Sequence, residues 1–315
     1  MEALYQYKYD LCNISKSHHK IIKDLFTRWY INTKKTKDGI NLEKNVVNKK
    51  DLAFCNLYYK SNIDILYFMK KSLIAFKKYQ VAFKKLNYDD SKVKPDYSVI
   101  IPKQLNRLKS IYKGNAFETD TAQLIEIYKF LGINNMHLSI PPIFEGIELF
   151  GSPMNTHNNE YCSPFQIEKL FGSQGSFFEY KFPKSELFLC NPPFDEELIK
   201  QMSKYILKYL EHSKNELTFL VTIPVWDSES QKKIGIRDFG MSFEGFSLLE
   251  ESKYCLEHEI LNKDEYPYYD YYKDKYSPAS WTHLLILANY ETEHKLNDFK
   301  IKWHNAVVSH KTKKL

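Results

Sequence analysis

Glycine and cysteine are scarce in this sequence, at 10 and 5 of 315 residues. The cysteines, Cys12, Cys55, Cys162, Cys190 and Cys255, are odd in number, widely scattered and form no C-x-x-C pair. That pattern speaks against a disulfide scaffold and a structural zinc, and the expectation is a reduced intracellular compartment, nucleus or cytoplasm undecided. His18-His19 has no ligand set nearby, so it reads as exposed polar surface and no metal is expected. No G-x-G-x-x-G occurs, which argues against a nicotinamide enzyme. No apolar run approaches the ~18 residues that span a bilayer, and no basic-then-apolar leader resembles a signal peptide.

What is present is enough hydrophobic sequence, 43%, for one large domain or two moderate ones. Charge is unevenly distributed. Residues 1–130 hold 25 Lys/Arg against 13 Asp/Glu, whereas the remainder holds 20 against 26. A basic amino-terminal part beside a mildly acidic part is what a phosphate-binding platform would look like; the plainer reading is a lysine-rich solvated surface. Within it, Ile63–Leu86 has helical periodicity, with Leu66, Phe68, Met69, Leu73, Phe76 and Phe83 expected inside. Lysines recur as pairs on the other face, and Lys70, Lys71, Lys77 and Lys78 are the candidate nucleic-acid contacts. Residues 1–130 are expected to form a helical domain, with Asn87–Asp96 as the linker inside it, followed by a core over 131–290 and a polar tail over 291–315.

The chain is organised around Ser185–Phe194. Leu187, Phe188, Leu189 and Cys190 are apolar without alternation, the pattern of a strand buried on both faces. Asn191-Pro192-Pro193-Phe194 stops it, because two prolines in succession supply no ladder donors. Asp195-Glu196-Glu197 then places negative charge at a helix start, and Leu198, Met202, Ile206 and Leu210 follow at helical spacing. At the carboxyl end of a parallel strand such a turn presents an amide, proline carbonyls and an aromatic ring. The Asn191 oxygen and the Pro192 carbonyl can accept both N–H bonds of an exocyclic amino group, aligning it for attack, while Phe194 stacks on the base. The alternative is an ordinary strand-ending turn.

The neighbouring stretches narrow the choice: GIELFGSPMN from Gly146, YCSPF (161–165), FGSQGSFFEY (171–180), CNPPFDEEL (190–198), TFLVTIPVW (218–226) and WTHLLILANY (281–290). In this order and spacing, over about residues 130–290, they resemble the phosphorylated-CTD-interacting-factor family of cap-specific mRNA adenosine-N6 methyltransferases. The resemblance implies an α/β, Rossmann-like class I methyltransferase sheet with an amino-terminal helical domain. It implies catalysis at Asn191, Pro192, Pro193 and Phe194, and S-adenosylmethionine at the turn after the first strand, with Ser152, Pro153 and Asn155 matching the motif. Gly151, Gly172, Ser173 and Glu179 complete the candidate cofactor set, Glu179 either accepting from a ribose or standing as a solvated carboxylate. Trp226, at the end of the Leu217–Ile223 strand, either stacks on a base or methylguanine or packs in the core. Tyr266, Tyr268, Tyr269, Tyr271, Tyr272 and Tyr276 form either an aromatic nucleic-acid surface or loop packing.

The expected partner is RNA, at a capped mRNA 5′ end. The competing readings are a DNA adenine-N6 methyltransferase and a catalytically silent RNA-binding subunit. No paired-tryptophan WW module stands in residues 1–130, so recruitment to phosphorylated polymerase tails is not expected from that part. Only about 35 residues separate the first turn from Asn191, so the strands between them are expected to be short or missing.

Overall fold

The computed structural model describes residues 2–18, 21–22, 25–26, 35–36, 39–40, 52, 61–85, 97–131, 138–182, 187–238, 240 and 242–312. The chain divides into two compact units, residues 1–95 with 118–133, and residues 96–117 with 134–315. The expected linker Asn87–Asp96, Trp29 and the Phe83 side chain lie outside the described residues.

The first unit contains helices α1 (Glu2–Ile14) and α2 (Ile65–Lys85), a short hairpin of β1 (Lys35–Thr36) and β2 (Gly39–Ile40), and nearly all of α4 (Phe117–Leu131). Tyr7 anchors it, its ring 5.8 Å from both Phe26 and Phe76. The buried stripe of α2 is Phe68, Ser72, Ala75 and Phe76. Leu66 and Leu73, expected inside, are instead exposed. The apolar stripe of α2 is wide, and tertiary packing covers only the part of it aligned with Phe68 and Phe76. Lys70, Lys71, Lys77 and Lys78 are all exposed.

The second unit is an α/β domain that begins with α3 (Pro102–Ile111), which the sequence reading had assigned to the basic helical part. Its sheet has the order β4 (Ile147–Glu148), β5 (Leu187–Cys190), β6 (Thr218–Pro224), β10 (Thr282–Ala288), β7 (Cys255–Leu261). The first three strands are parallel; β10 runs antiparallel between β6 and β7. Beyond β4 the ladder continues as two single parallel bridges, Glu148 with Tyr161 and Tyr161 with Ser173. Taken together, the segments stand in the order Ser173, Tyr161, β4, β5, β6. That is the 3-2-1-4-5 order of a doubly wound Rossmann-like sheet with its second and third strands reduced to one residue each.

All seven residues of β6 and of β10 are buried, which is why neither alternates. Helix α5 (Glu196–His212) follows β5, and its N-cap is Asp195, whose carboxylate accepts from the Leu198 N–H at 2.8 Å. Phe188 and Phe219 stack 5.2 Å apart in one aromatic cluster, together with Phe182 and Tyr209. Leu189, Leu220, Leu284 and Ile286 join a second core with Trp303, Phe299 and Leu296.

Those last three residues belong to α8 (Leu296–Thr312), in the stretch expected to be a polar tail. Its polar residues are its solvated face, while Leu296, Phe299, Trp303 and Val307 recur at helical spacing and are buried. The tyrosine cluster is corrected in the same direction. β8 (Tyr268–Asp270) pairs with β3 (Leu138–Ser139) and β9 (Lys275–Ser277), and Tyr268 and Tyr269 are buried. They are packing residues, not an open aromatic surface. Between β6 and β7 lie α6 (Ser228–Lys233), capped by Asp227, and α7 (Glu244–Glu250). No helix among the described residues is long and apolar enough to cross a membrane.

Candidate active site

Parallel pairing sets the site. Cys190 lies opposite Val221, and Glu148 opposite Leu189, so three turns leave the sheet at the same edge. They are Gly151–Asn155 after β4, Asn191–Phe194 after β5, and Pro224–Trp226 after β6. The first two flank the point where strand order reverses, the place where open α/β sheets bind ligands.

The Gly151–Asn155 turn is held by its own polar atoms. Asn155 Oδ1 accepts from the Ser152 N–H at 2.9 Å, and Ser152 Oγ from the Met154 N–H at 3.1 Å. Gly151 is required by close approach within the protein: a Cβ there would lie 3.0 Å from the Tyr161 Cβ and 3.3 Å from the Glu148 carboxyl carbon. Helix α3 buttresses the turn from outside. Gln104 Nε2 donates to the Met154 carbonyl at 2.6 Å, and Arg107 donates to the carbonyls of Pro153 and Asn158 at 3.4 and 2.8 Å. The Gln104 side-chain oxygen is buried and without a hydrogen-bond partner among the described residues.

Gly172 and Ser173 lie in a tightly held turn. Gly172 has a φ of 99° and ends the turn Gln166–Phe171, a conformation that favours glycine. Ser173 Oγ accepts from Ser163 Oγ at 2.6 Å and from the Gly175 N–H at 3.0 Å, which pins the stretch in the interior. Glu179, by contrast, is exposed on a separate turn, Phe177–Glu179, whose rings pack against Phe150 and Tyr205. Tyr161 links Gly151 with Gly172 and Ser173, and the Phe177–Glu179 turn adjoins the Gly151 turn through Phe150.

At the Asn191 turn the amide is buried and bonded on both sides. Thr222 Oγ1 donates to Asn191 Oδ1 at 3.0 Å, and Asn191 Nδ2 donates to Ser139 Oγ at 3.3 Å. Ser139 in turn donates to the buried Glu148 carboxylate at 2.8 Å. Phe194 is half-buried and stands edge-on to Tyr268 and Trp226, 6.0 and 6.2 Å away. Cys190, next to the amide, is no nucleophile: burial pushes its thiol well above the ordinary range.

Trp226 is only 6% exposed and packs against Phe243 at 5.5 Å. A ring with so little free surface has no open face for a base, so it acts as a packing residue. The next residue, Asp227, caps α6 and lies 2.8 Å from His283 Nε2, which fixes this rim of the site. Lys70, Lys71, Lys77 and Lys78 belong to the other unit. Ser139, Glu148, Thr222, Gln104 and Arg107 escaped the sequence reading. One signal was available: Glu148 is the single charge inside the apolar run Ile147–Phe150.

Residues 142–271 match the sequence model described as the phosphorylated CTD interacting factor 1 WW domain. The matched segment supplies β4, β5 and β6 with the turns that leave them, so it coincides with the α/β site just described and lies beyond residues 1–130. The chain is also similar to two proteins named mRNA (2'-O-methyladenosine-N(6)-)-methyltransferase. The mouse protein is 42% identical over 80 residues and the human protein 41% over 80, in each case 25% of this chain and 11% of the relative. The matched stretch thus spans about a ninth of the relatives' length. A solved class I S-adenosylmethionine-dependent methyltransferase from Listeria monocytogenes aligns over 97% of this chain and 99% of its own, with 11% identity and a TM-score of 0.23, too low to bear on the fold.

Proposed function

We propose that this chain is an S-adenosylmethionine-dependent adenosine-N6 methyltransferase acting on RNA, with the first transcribed nucleotide beside the mRNA cap as its target. The observation that carries this reading is the Asn191 amide and Pro192 carbonyl at the carboxyl edge of β5, next to the strand-order reversal, with Phe194 beside them. The two relatives' names point to the same chemistry.

Ser152, Pro153, Asn155, Gly172 and Ser173 would hold the cofactor, and the buried, unpartnered Gln104 oxygen provides an acceptor behind that turn. When bound, the cofactor supplies an electrophilic methyl group on a sulfonium. The rest falls to the chain. The adenine amino lone pair is delocalised into the ring, so acceptors at Asn191 and Pro192 hold both N–H bonds and stabilise the positive charge that develops on nitrogen. The proton that the methylated nitrogen no longer holds would leave to water. No acid–base residue is required. A terminal or single-stranded adenosine suits such a site because little unpairing is needed to reach it.

The deciding experiment is transfer of a labelled methyl group to capped RNA, uncapped RNA and DNA oligonucleotides, with N6 as the labelled position. Transfer to uncapped RNA at an equal rate removes the cap assignment, and transfer to DNA alone replaces RNA as substrate. No transfer, together with no thermal stabilisation by S-adenosylhomocysteine, identifies a silent RNA-binding subunit.

Two variants test the periphery. Reversing the charge of Lys70, Lys71, Lys77 and Lys78 together is expected to weaken RNA binding and flatten its salt dependence, with affinity for S-adenosylhomocysteine unchanged. An unchanged RNA dissociation constant removes α2 from the phosphate platform. Trp226→Ala is expected to lower the melting temperature, since a buried Trp→Ala change costs roughly 3–5 kcal/mol. The capped-to-uncapped ratio of kcat/KM should stay the same. A collapsed ratio at unchanged stability would return the indole to a stacking role.

A further inference from the structure

Four buried side chains form one hydrogen-bonded line behind the Asn191 turn: Thr222, Asn191, Ser139 and Glu148. They come from four separate segments, β6, the end of β5, β3 and β4. The line has a property that none of its members has alone. A hydroxyl carries one proton, and the oxygen and nitrogen of an Asn amide exchange places when the group flips.

With Glu148 ionised, Ser139 gives its proton to the carboxylate. The atom of Asn191 facing Ser139 must then be a donor, so Nδ2 faces Ser139 and Oδ1 faces Thr222, as in the structure. With Glu148 protonated, every donor reverses. The carboxyl group donates to Ser139, Ser139 donates to Oδ1, and Nδ2 faces Thr222, whose proton goes to the Cys190 carbonyl 3.3 Å away. The two states need no movement of the backbone, but they interchange the donor and acceptor ends of the amide.

The groups around Glu148 come from every element packed on it. Arg107 from α3 supplies a positive charge, Ser139 and Thr156 supply hydrogen bonds, the Asn158 amide nitrogen lies buried without a hydrogen-bond partner among the described residues, and the hydroxyls of Tyr161 and Tyr271 stand near by. Burial pushes the carboxyl upward, against the hydrogen bonds from Thr156 and Ser139 and the Arg107 charge.

We propose that Ser139 and Glu148 are positioning residues that lock the Asn191 amide in one of its two orientations, the orientation following the ionisation of Glu148. The proposal rests on the adenosine-N6 reading above for its catalytic consequence, since an amino group must be met by an acceptor and not by an amide N–H. The ionised state is the productive one, so turnover is lost as pH falls and Glu148 takes up a proton.

The test has one arm that needs no catalysis. In protein labelled with ¹⁵N-asparagine, the Asn191 side-chain resonances are identified by their absence in Asn191→Asp. They are expected to shift with pH in a single transition in the wild type and to stay fixed in Glu148→Gln. A pH-independent resonance in the wild type, or the same transition in Glu148→Gln, overturns the proposal whether or not the protein methylates RNA. In the catalytic arm, Ser139→Ala should lower kcat roughly tenfold, the equivalent of one buried hydrogen bond. KM for the cofactor should hold, and Ser139→Thr should restore kcat by returning the hydroxyl. Unchanged kcat in a folded Ser139→Ala protein also overturns it. A wild type that fails to methylate any adenosine, yet shows the resonance transition, refutes the functional reading and leaves the amide switch standing.

Discussion

Asn191→Ala is expected to reduce the methylation rate by at least ~10²-fold, in line with the removal of one preorganised group at a site of developing charge. Binding of S-adenosylhomocysteine, read by thermal shift or calorimetry, should remain near the wild-type value, because the turn after β4, proposed as the cofactor site, is held by Asn155, Gln104 and Arg107. The same variant leaves Ser139 and Thr222 facing a gap. A modest loss of stability is therefore expected beside the catalytic loss, of about 1–3 kcal/mol for buried polar groups deprived of a partner. Near-normal turnover in a stably folded Asn191→Ala protein would take the amide out of the mechanism. Loss of folding alone would make it a structural residue of the β5–β6 junction.

Trp303→Ala is the substitution expected to cost the most stability. The indole is 1% exposed, stands 5.7 Å from Tyr268 and 6.0 Å from Phe144, and donates from Nε1 to the Pro267 carbonyl at 2.9 Å. Removing it opens a cavity and strands that carbonyl, a change of roughly 3–5 kcal/mol for the ring. Chemical denaturation should show the midpoint falling accordingly. The effect should extend to the site, because Tyr268 also lies edge-on to Phe194 and its hydroxyl is 3.0 Å from Thr282. A variant truncated before Leu296 should fail in the same way. If either protein melts like the wild type, residues 296–312 are dispensable and α8 is an accessory helix.

The elements that the sequence made legible are those whose signal is local. Leu187–Cys190 and Thr218–Pro224 are apolar without alternation because they are covered on both faces, and the Asn-Pro-Pro turn ends the first of them. Asp195-Glu196-Glu197 marks a helix start by its charge, and the helix begins there with Asp195 as its cap. The parallel pairing of β5 with β6, seen only in the structure, is what sets Trp226 near the Asn191 turn. Residues 296–312 misled because composition averages over a helix: Lys, His and Asn on its outer face hid the spacing of Leu296, Phe299, Trp303 and Val307. Trp226 and the tyrosines stayed open between stacking and packing for a related reason. An aromatic ring near a sheet edge has the same local sequence whether a neighbour covers it or not, and only Phe243 and α8 decide that it is covered.

By itself the sequence determined the buried strands, the turn that stops β5, the helix start after it and the likeness of residues 142–271 to the phosphorylated-CTD-interacting-factor model. Each is written in short-range polarity, backbone restriction or motif order. The tertiary structure alone decided that β10 inserts antiparallel between β6 and β7, and that the second and third strands shrink to the bridges at Tyr161 and Ser173. It alone set α3 against the turn after β4 and drew Ser139, Glu148, Asn191 and Thr222 into one line. The reason is physical. Periodicity reports that a face is buried, whereas the partner that buries it, and the proton a buried hydroxyl gives up, depend on groups tens of residues away that meet only when the sheet has closed.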